Sequence, residues 1–345
     1  MLLAIHNLEG SFSDRWIEYC ELNDIPYIKV DMFRNDLLDL FRQSGVSGFL
    51  FQLSTLDPRT HLVASFIGRA AEMMGIKVFP CDANSWYFND KLAQKYLFEA
   101  LAIPSCPTWI FYSPDDALTW AKSASYPKVF KLRRGASSYN VCLVSSFSQA
   151  RRLIQSMFGS GLRNAPDLLD DYQVKIHKHS IKNDWVDVLK RLPFTLSKIS
   201  KIKNCIPNER GYVYFQEFLP DNRFDTRITV IGQRAFAFRR FVRPKDFRAS
   251  GSGRLDFETN KIDFNLIKIA FDSVKKIKSQ SLAFDFVYDI ERRPVVLEVC
   301  RSYAAYAVFN CSGYWDPQMN FHEGHIWPQD AIMIDLLESL VKPKA

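Results

Sequence analysis

Histidine and glycine are scarce in this sequence, six and 14 of 345 residues, and its seven cysteines contain no CxxC pair. That shortage, together with the lack of HExxH spacing, argues against a zinc centre. The odd set of cysteines (Cys20, Cys81, Cys106, Cys142, Cys205, Cys300 and Cys311) lies mostly in apolar segments, which points to reduced thiols of the cytosol and not to a disulfide scaffold. No GxGxxG follows the first apolar run, and no Walker A pattern (GxxxxGK, then Ser or Thr) occurs, so two common nucleotide fingerprints are missing. No apolar run is long enough to span a bilayer and no basic leader precedes an apolar core, so a soluble cytoplasmic chain with no membrane partner is expected. RRM, zinc-finger and helix-turn-helix signatures are lacking too. The net charge of +7 is scattered and not gathered in a tail, so it points to anionic small molecules and argues against nucleic acid as the partner.

What is present is a globular α/β composition, 47% hydrophobic and long enough for two or three packed subdomains. The first eighty-odd residues alternate strand candidates (LLAIHN, YIKVDM, GFLFQL, KVFP) with helix-like segments, which predicts βαβ units around a parallel sheet. Asp90 is a candidate N-cap for a helix that ends near Ile103 and Pro104. Residues 165–205 carry amphipathic, Lys-rich pieces that read as an inserted helical element. Strands dominate from 211 onward, followed by a helix at 263–279, a hairpin, an aromatic-rich lid or packing segment at 310–327 and a closing helix at 328–341.

The hairpin AFDFVYDIERRPVVLEVCRSY, residues 283–303, places carboxylates inside two apolar strands. If Ile290 pairs with Arg293 across the turn, Asp285 stands directly opposite Glu298 on one face. Facing carboxylates are destabilising unless something neutralises them. A hard cation such as Mg²⁺, which takes its other ligands from phosphate and water, is one solution. A salt bridge from Arg292, Arg293 or Arg301 is the other.

Four further stretches carry candidate chemistry. PKVFKLRRGASSYNV ends a strand on Lys131 before a loop of Gly135, Ala136, Ser137 and Ser138, where small residues let backbone amides approach phosphate; an ordinary hairpin has the same composition. YFQEFLPDNRFDTRITVIG places Gln216 and Glu217 at a strand end and points Asp225 and Arg227 to one face of the next strand. Arg239 and Arg240 end the strand after that. PKDFRASGSG, with Arg248, is a loop that can fold over an anion, although surface turns share its make-up.

In their order these segments, together with Asp90-Lys91, resemble the ATP-grasp superfamily from about Asp90 to Pro328, and are similar to segments of glutathione synthetase, D-alanine-D-alanine ligase and the ribosomal-protein glutamate ligases. The resemblance implies an N-terminal Rossmann-like α/β domain at 1–88 and a two-lobed ATP-grasp domain. Its N-lobe would span 89–215 with the insertion, and its C-lobe 216–345 with the Mg-ATP site. It implies that Lys91 and Lys131 hold the α- and β-phosphates of ATP, with Ser137 in the phosphate loop. By the same resemblance the linker Gln216, Glu217, Phe218 and Leu219 binds adenine, and Asp225 contacts the ribose, with Arg227 beside it. Arg240, with Arg239 as its rival, and Arg248 with Ser250 of the loop would face the phosphates and the acyl phosphate. Asp285 and Glu298 would be the magnesium ligands, with Mn²⁺ as an alternative ion. The family usually reads Glu-x-Asn where this chain has Glu298-Val299-Cys300, and cysteine is a poor partner for Mg²⁺. Arg301, Ser302 and Tyr303 would line the acceptor pocket or anchor the following loop.

The implied activity is ATP-dependent joining of a small-molecule carboxylate to an amine through an acyl phosphate, on an amino acid or small carboxylate. By analogy of fold this belongs to bacterial polysaccharide or natural-product metabolism. A homodimer is compatible with the resemblance. The alternative function is a non-catalytic, regulatory ATP-binding protein of the same fold, which Cys300 favours.

Overall fold

The computed structural model describes residues 1–52, 59, 63, 66–81, 86–135, 140–163, 208–244 and 246–341. Ser137 and the expected helical element at 165–205 lie outside the described residues.

The chain opens with β1 (Leu3–His6), α1 (Phe12–Leu22), β2 (Tyr27–Val30), α2 (Leu37–Ser44), β3 (Gly48–Leu50), α3 (Ile67–Met73) and β4 (Lys77–Phe79). The four strands are parallel, in the order β2-β1-β3-β4, as the alternation of strand and helix signals leads one to expect. All of β1 is buried, which suits a parallel strand covered on both faces. Ser11 caps α1 by accepting from the Ser13 amide, and the helix turns Trp16, Ile17 and Cys20 inward.

A second layer follows: α4 (Lys91–Ala100), β5 (Thr108–Phe111), α5 (Pro114–Ser123), β6 (Lys128–Lys131), β7 (Val141–Val144), α6 (Phe147–Phe158) and β8 (Val213–Glu217). Its strands form an antiparallel sheet in the order β5-β8-β6-β7. Asp90 caps α4, its Oδ1 accepting from the amides of Leu92 and Ala93 at 3.1 Å each. Ser113 and Ser146 cap α5 and α6 in the same way. Those two helices bury Ala117, Ala121, Ala150, Ile154 and Met157 against Phe130, Val213 and Phe215. The other face of this sheet, carrying Val129, Lys131 and Gln216, opens onto the cleft described below.

The third part comprises β9 (Phe224–Ile231), β10 (Arg234–Phe241), β11 (Leu255–Asp256), α7 (Phe264–Ile277), β12 (Ser281–Tyr288), β13 (Pro294–Cys300), α8 (Ala305–Phe309), β14 (Gly313–Trp315), β15 (Phe321–Glu323) and α9 (Pro328–Val341). Seven strands form one sheet, β13-β12-β9-β10-β14-β15, with β11 on β10. One face packs Ile228, Val230, Ala235, Ala237, Leu282 and Phe284 against Leu266, Ile267, Ala270 and Val274 of α7. The aromatic stretch at 310–327 is a packing segment: β14 and β15 pair as a hairpin that extends the sheet, with Trp315 in the core. The closing helix α9 returns to the first sheet, where Ile332, Met333 and Leu336 share a core with Leu3, Ile5 and Trp16. Arg15 clamps Asp330 there through two bonds of 2.8 and 2.6 Å.

Candidate active site

The antiparallel pairing of β9, β10, β12 and β13 builds a ladder of charges on the sheet face opposite α7. Arg240 stands across from Asp225 in one row. In the next row Phe238, Arg227, Asp285 and Glu298 follow one another across four strands. In the row after that come Phe236, Thr229, Ala283 and Cys300. Alternation along each strand puts all of these side chains on one side.

Asp285 does face Glu298, but by a different route from the one counted in the sequence. The turn pairs Asp289 with Arg293, the Asp289 amide donating to the Arg293 carbonyl, and Ile290 pairs with neither side. The strands therefore start one residue out of the expected register. A β-bulge at Leu297 absorbs the difference before Glu298. Arg292, with φ of 61°, takes the left-handed position in the turn.

The arginines that neutralise Asp285 are not those of the hairpin. Arg227 donates to it through Nε at 2.7 Å and through its terminal nitrogen at 2.8 Å, and Arg240 adds a contact of 2.7 Å. Arg240 also grips Asp225 with two bonds of 2.6 Å each. Arg293 instead pairs with Asp289 and Glu291 at the exposed turn. Burial by itself would raise the Asp285 carboxyl, but Arg227 and Arg240 outweigh it and hold the group well below the usual carboxylate range. Burial likewise works against the charge on Arg240, and Asp225 and Asp285 more than restore it.

The layer of the second sheet supplies two lysines, one from helix α4 and one from strand β6. Lys91, at the start of α4, donates to the Gly135 carbonyl at 2.9 Å and lies 3.5 Å from Glu298. Gly135, with φ of 133°, adopts a backbone conformation open to glycine, and its amide is held by Asn89 Oδ1 at 3.2 Å. Lys131 is buried and donates to Gln216 Oε1 at 2.6 Å. Burial pulls its pKa below the ordinary value, partly offset by Glu298. Lys91, Lys131, Gln216, Arg227, Arg240, Asp285 and Glu298 line one cleft of about 550 Å³ between the two sheets.

Other expected site residues fall into three groups. Glu217, Phe218, Leu219, Asp225, Arg248 and Ser250 also line the cleft. Both Glu217 carboxylate oxygens are taken by Lys128, at 2.8 Å each, and Arg248 is bonded to Asp246 at 2.8 Å. The 248–253 loop lines the cleft with Gly251 and Gly253 at positive φ, and Phe247 packs edge-on against Phe218 with ring centres 5.7 Å apart. Arg239, the expected rival of Arg240, is brought to the other face of β10, where it pairs with Asp256 and sits over the Phe224 ring. Arg301 is not among the described residues that line the cleft, whereas Ser302 and Tyr303 are.

Several lining residues escaped the sequence reading. Thr229 was within reach, being the next residue of the Asp225, Arg227 alternation. Val287, Leu219 and Leu297 pack together and, with Val129, give the cleft lining an apolar part, to which Ala307 and Val308 of α8 also belong. Nothing local in the sequence marks the α8 residues, because only the return of the chain over the sheet brings them there. Cys300 keeps its proton: burial raises its pKa, and the thiol donates to the Ser302 carbonyl at 2.8 Å.

No protein-family profile and no curated protein matches this sequence. Solved structures do match the fold. The D-cycloserine synthetase DcsG is 14% identical, over 97% of this chain and 100% of that one, with a TM-score of 0.56. The D-alanyl-alanine synthetase A of Vibrio cholerae is 13% identical, over 99% and 98%, with a TM-score of 0.57. The ATP-grasp ligase PsnB, solved with a minimal precursor, is 12% identical, over 99% of both chains, with a TM-score of 0.55. The chain therefore has the ATP-grasp fold.

Proposed function

We propose that the protein is an ATP-dependent ligase that joins a carboxylate to an amine through an acyl phosphate. The observation that carries this reading is the convergence of Lys91, Lys131, Arg227 and Arg240 with the facing carboxylates Asp285 and Glu298 in one cleft between two sheets. Cationic side chains on the walls of a cleft whose lining also has an apolar part suit a nucleotide triphosphate. The ligase neighbours support the general reaction, and the substrates are this protein's own.

The donor set fits a hard divalent cation. A carboxylate offers about four acceptor positions, and Arg227 and Arg240 use three of them on Asp285, so a position remains. Glu298, half-buried beside Lys91, is freer. Asp285 and Glu298 would hold Mg²⁺ or Mn²⁺, with phosphate and water as the other ligands. Cys300, a protonated thiol turned to Ser302, does not contribute. Bound there, the ion would neutralise phosphate charge.

The chain's own groups do the rest by position and charge. Lys91 and Lys131 hold the phosphates. Val129, Val287, Leu219 and Leu297 take the base, with Gln216 fixed by Lys131 at the strand end. Arg227 and Arg240, already fixed in place by Asp225 and Asp285, stand ready to stabilise the charge that develops as phosphoryl passes to the carboxylate, without reorganising. The 248–253 loop, with Arg248, lines the cleft and limits water, which would otherwise hydrolyse the acyl phosphate.

The direct test is phosphate release from ATP, assayed with mixtures of carboxylates and amines. Release should require both partners and should be abolished in Lys131→Ala and in Glu298→Ala, with both variants folded. Unchanged release in either variant would take that residue out of the mechanism. ATP binding without release in any mixture would favour the regulatory alternative.

A further inference from the structure

One buried polar side chain takes no part in the chemistry above. Gln94 of α4 is 2% exposed. Its Nε2 donates to the Val299 carbonyl at 2.9 Å and to the Tyr87 carbonyl at 3.4 Å, and its Oε1 accepts from the Val299 amide at 3.2 Å. A side-chain amide that both donates to and accepts from one residue reproduces the pair of bonds that a neighbouring strand would make. Gln94 thus takes the place of a strand at the open edge of β13, beside Glu298.

The position of this clamp follows from the bulge. β13 is the end strand of its sheet, so its outward backbone groups are left to other elements. Those of Val296 are taken by the segment before β5, the Val296 amide donating to the Pro104 carbonyl at 2.9 Å and the Cys106 amide to the Val296 carbonyl at 3.0 Å. In a regular strand the next outward groups would belong to Glu298. The extra residue, Leu297, moves them to Val299, where Gln94 meets them. The bent stretch Leu297–Glu298 is therefore pinned on both sides. Lys91, three residues before Gln94 and on the same side of the helix, comes within 3.5 Å of the Glu298 carboxylate. Asp90 caps the helix start, and Arg133 Nε holds Asp90 at 2.6 Å.

We propose that Gln94 is a positioning residue for the metal carboxylate: it fixes β13 just past the bulge, so that Glu298 keeps its aim at the cation it would share with Asp285. The proposal rests on the reading of Glu298 as a metal ligand. Asp285 is fixed directly by Arg227 and Arg240. The contact between Glu298 and Lys91, at 3.5 Å, is long for a hydrogen bond, so the aim of Glu298 depends on the backbone that carries it. Cys300, the next residue on the cleft face, is turned to the Ser302 carbonyl and cannot share the task. An apolar side chain in place of Gln94 would leave the amide and carbonyl of Val299 buried without those partners, and the strand would shift to find others, taking Glu298 with it.

The experiment measures the Kd for ATP by calorimetry with and without Mg²⁺, and the affinity of the ATP-bound protein for Mn²⁺ by electron paramagnetic resonance, in the wild type, Gln94→Met and Leu97→Ala. The ratio of the metal-free to the Mg²⁺ Kd reports what the metal adds. In Gln94→Met that ratio and the Mn²⁺ affinity should each fall about tenfold, with the metal-free Kd within about twofold of the wild type. Leu97→Ala removes apolar packing from the same helix and should lower stability while moving neither quantity. A ratio unchanged in Gln94→Met, or an equal fall in Leu97→Ala, would overturn the proposal. Should Gln94→Met fail to fold, Gln94→Asn, whose amide is one methylene too short to make both bonds to Val299, should show the same fall, and a wild-type ratio there would overturn the proposal as well. A wild type whose ATP affinity does not respond to Mg²⁺ would defeat the reading of Glu298 as a metal ligand and this proposal with it, whereas a wild-type response that survives Gln94→Met defeats the proposal alone.

Discussion

The two faces of the seven-stranded sheet come from the same strands and bury opposite things. Under α7, Ile228, Val230, Ala237, Leu282 and Phe284 pack as hydrocarbon. Over the cleft, alternating with them, stand Asp225, Arg227, Thr229, Arg240 and Asp285. Burying charge carries a desolvation cost that pairing returns only in part, so a sheet selected for stability alone would be better served by hydrocarbon on both faces. The small sheet repeats the contrast with two lysines on one strand. Lys128, on the helix side, is held by both oxygens of Glu217, whereas Lys131, on the cleft side, donates to the neutral amide of Gln216. The charge of Lys128 is consumed by structure, and that of Lys131 is left for an anion.

The lysine comparison gives the largest expected effect. Lys131→Ala should weaken ATP binding by about 100-fold or more, while Lys128→Ala should leave it within a few-fold and lower stability only. Calorimetry on both variants separates the roles, and equal losses would erase the distinction.

The two sheet faces can be separated in the same way. Arg240→Gln leaves Asp225 and Asp285 buried with less compensation, and should destabilise the fold by about 3–5 kcal/mol. Phe284→Ala, on the opposite face, should cost a similar amount, about 3–5 kcal/mol, through its cavity. Denaturant unfolding measures both. Only Arg240→Gln should also reduce nucleotide affinity per folded molecule, so a matching loss in Phe284→Ala would mean that the faces are not functionally distinct.

A smaller effect follows from the buried amine of Lys131, whose pKa lies below its ordinary 10.5 in the folded chain. The charged form binds phosphate, so nucleotide affinity should decline as pH rises through the folded pKa, earlier than for an exposed lysine. Stability carries the opposite sign. Between the folded and the unfolded pKa the unfolded chain holds more protons, so this group makes the nucleotide-free protein more stable as pH rises through that window. Titrations from neutral to alkaline pH should show the two trends diverging in the wild type and the divergence lost in Lys131→Met.

Much of this contrast could be read from the strands themselves. A period of two places Asp225 and Arg227 on one face, and the helices at 263–279 and 328–341 lie within two residues of α7 and α9 at every end. Asp90 caps its helix because an acceptor is needed where the first amides have no partner. What the sequence could not supply was cross-strand register. Whether Arg239 or Arg240 enters the cleft depends on which of them stands opposite Asp225, and the partners of Asp285 come from two strands distant in sequence. The hairpin shows the hazard most clearly, since the turn is out of step by one residue and the bulge at Leu297 cancels the error. The α8 wall and the Lys128–Glu217 pair are tertiary facts with no local signature.

The central claim is that the cleft face is built for a magnesium-bound nucleotide. It is tested most directly by calorimetric titration of the purified protein with ATP, with and without Mg²⁺. Binding that strengthens with Mg²⁺, and that loses this dependence in Glu298→Ala, is the result the account predicts. No binding under either condition would contradict it, and would make the Arg227, Arg240 and Asp285 network a purely structural one.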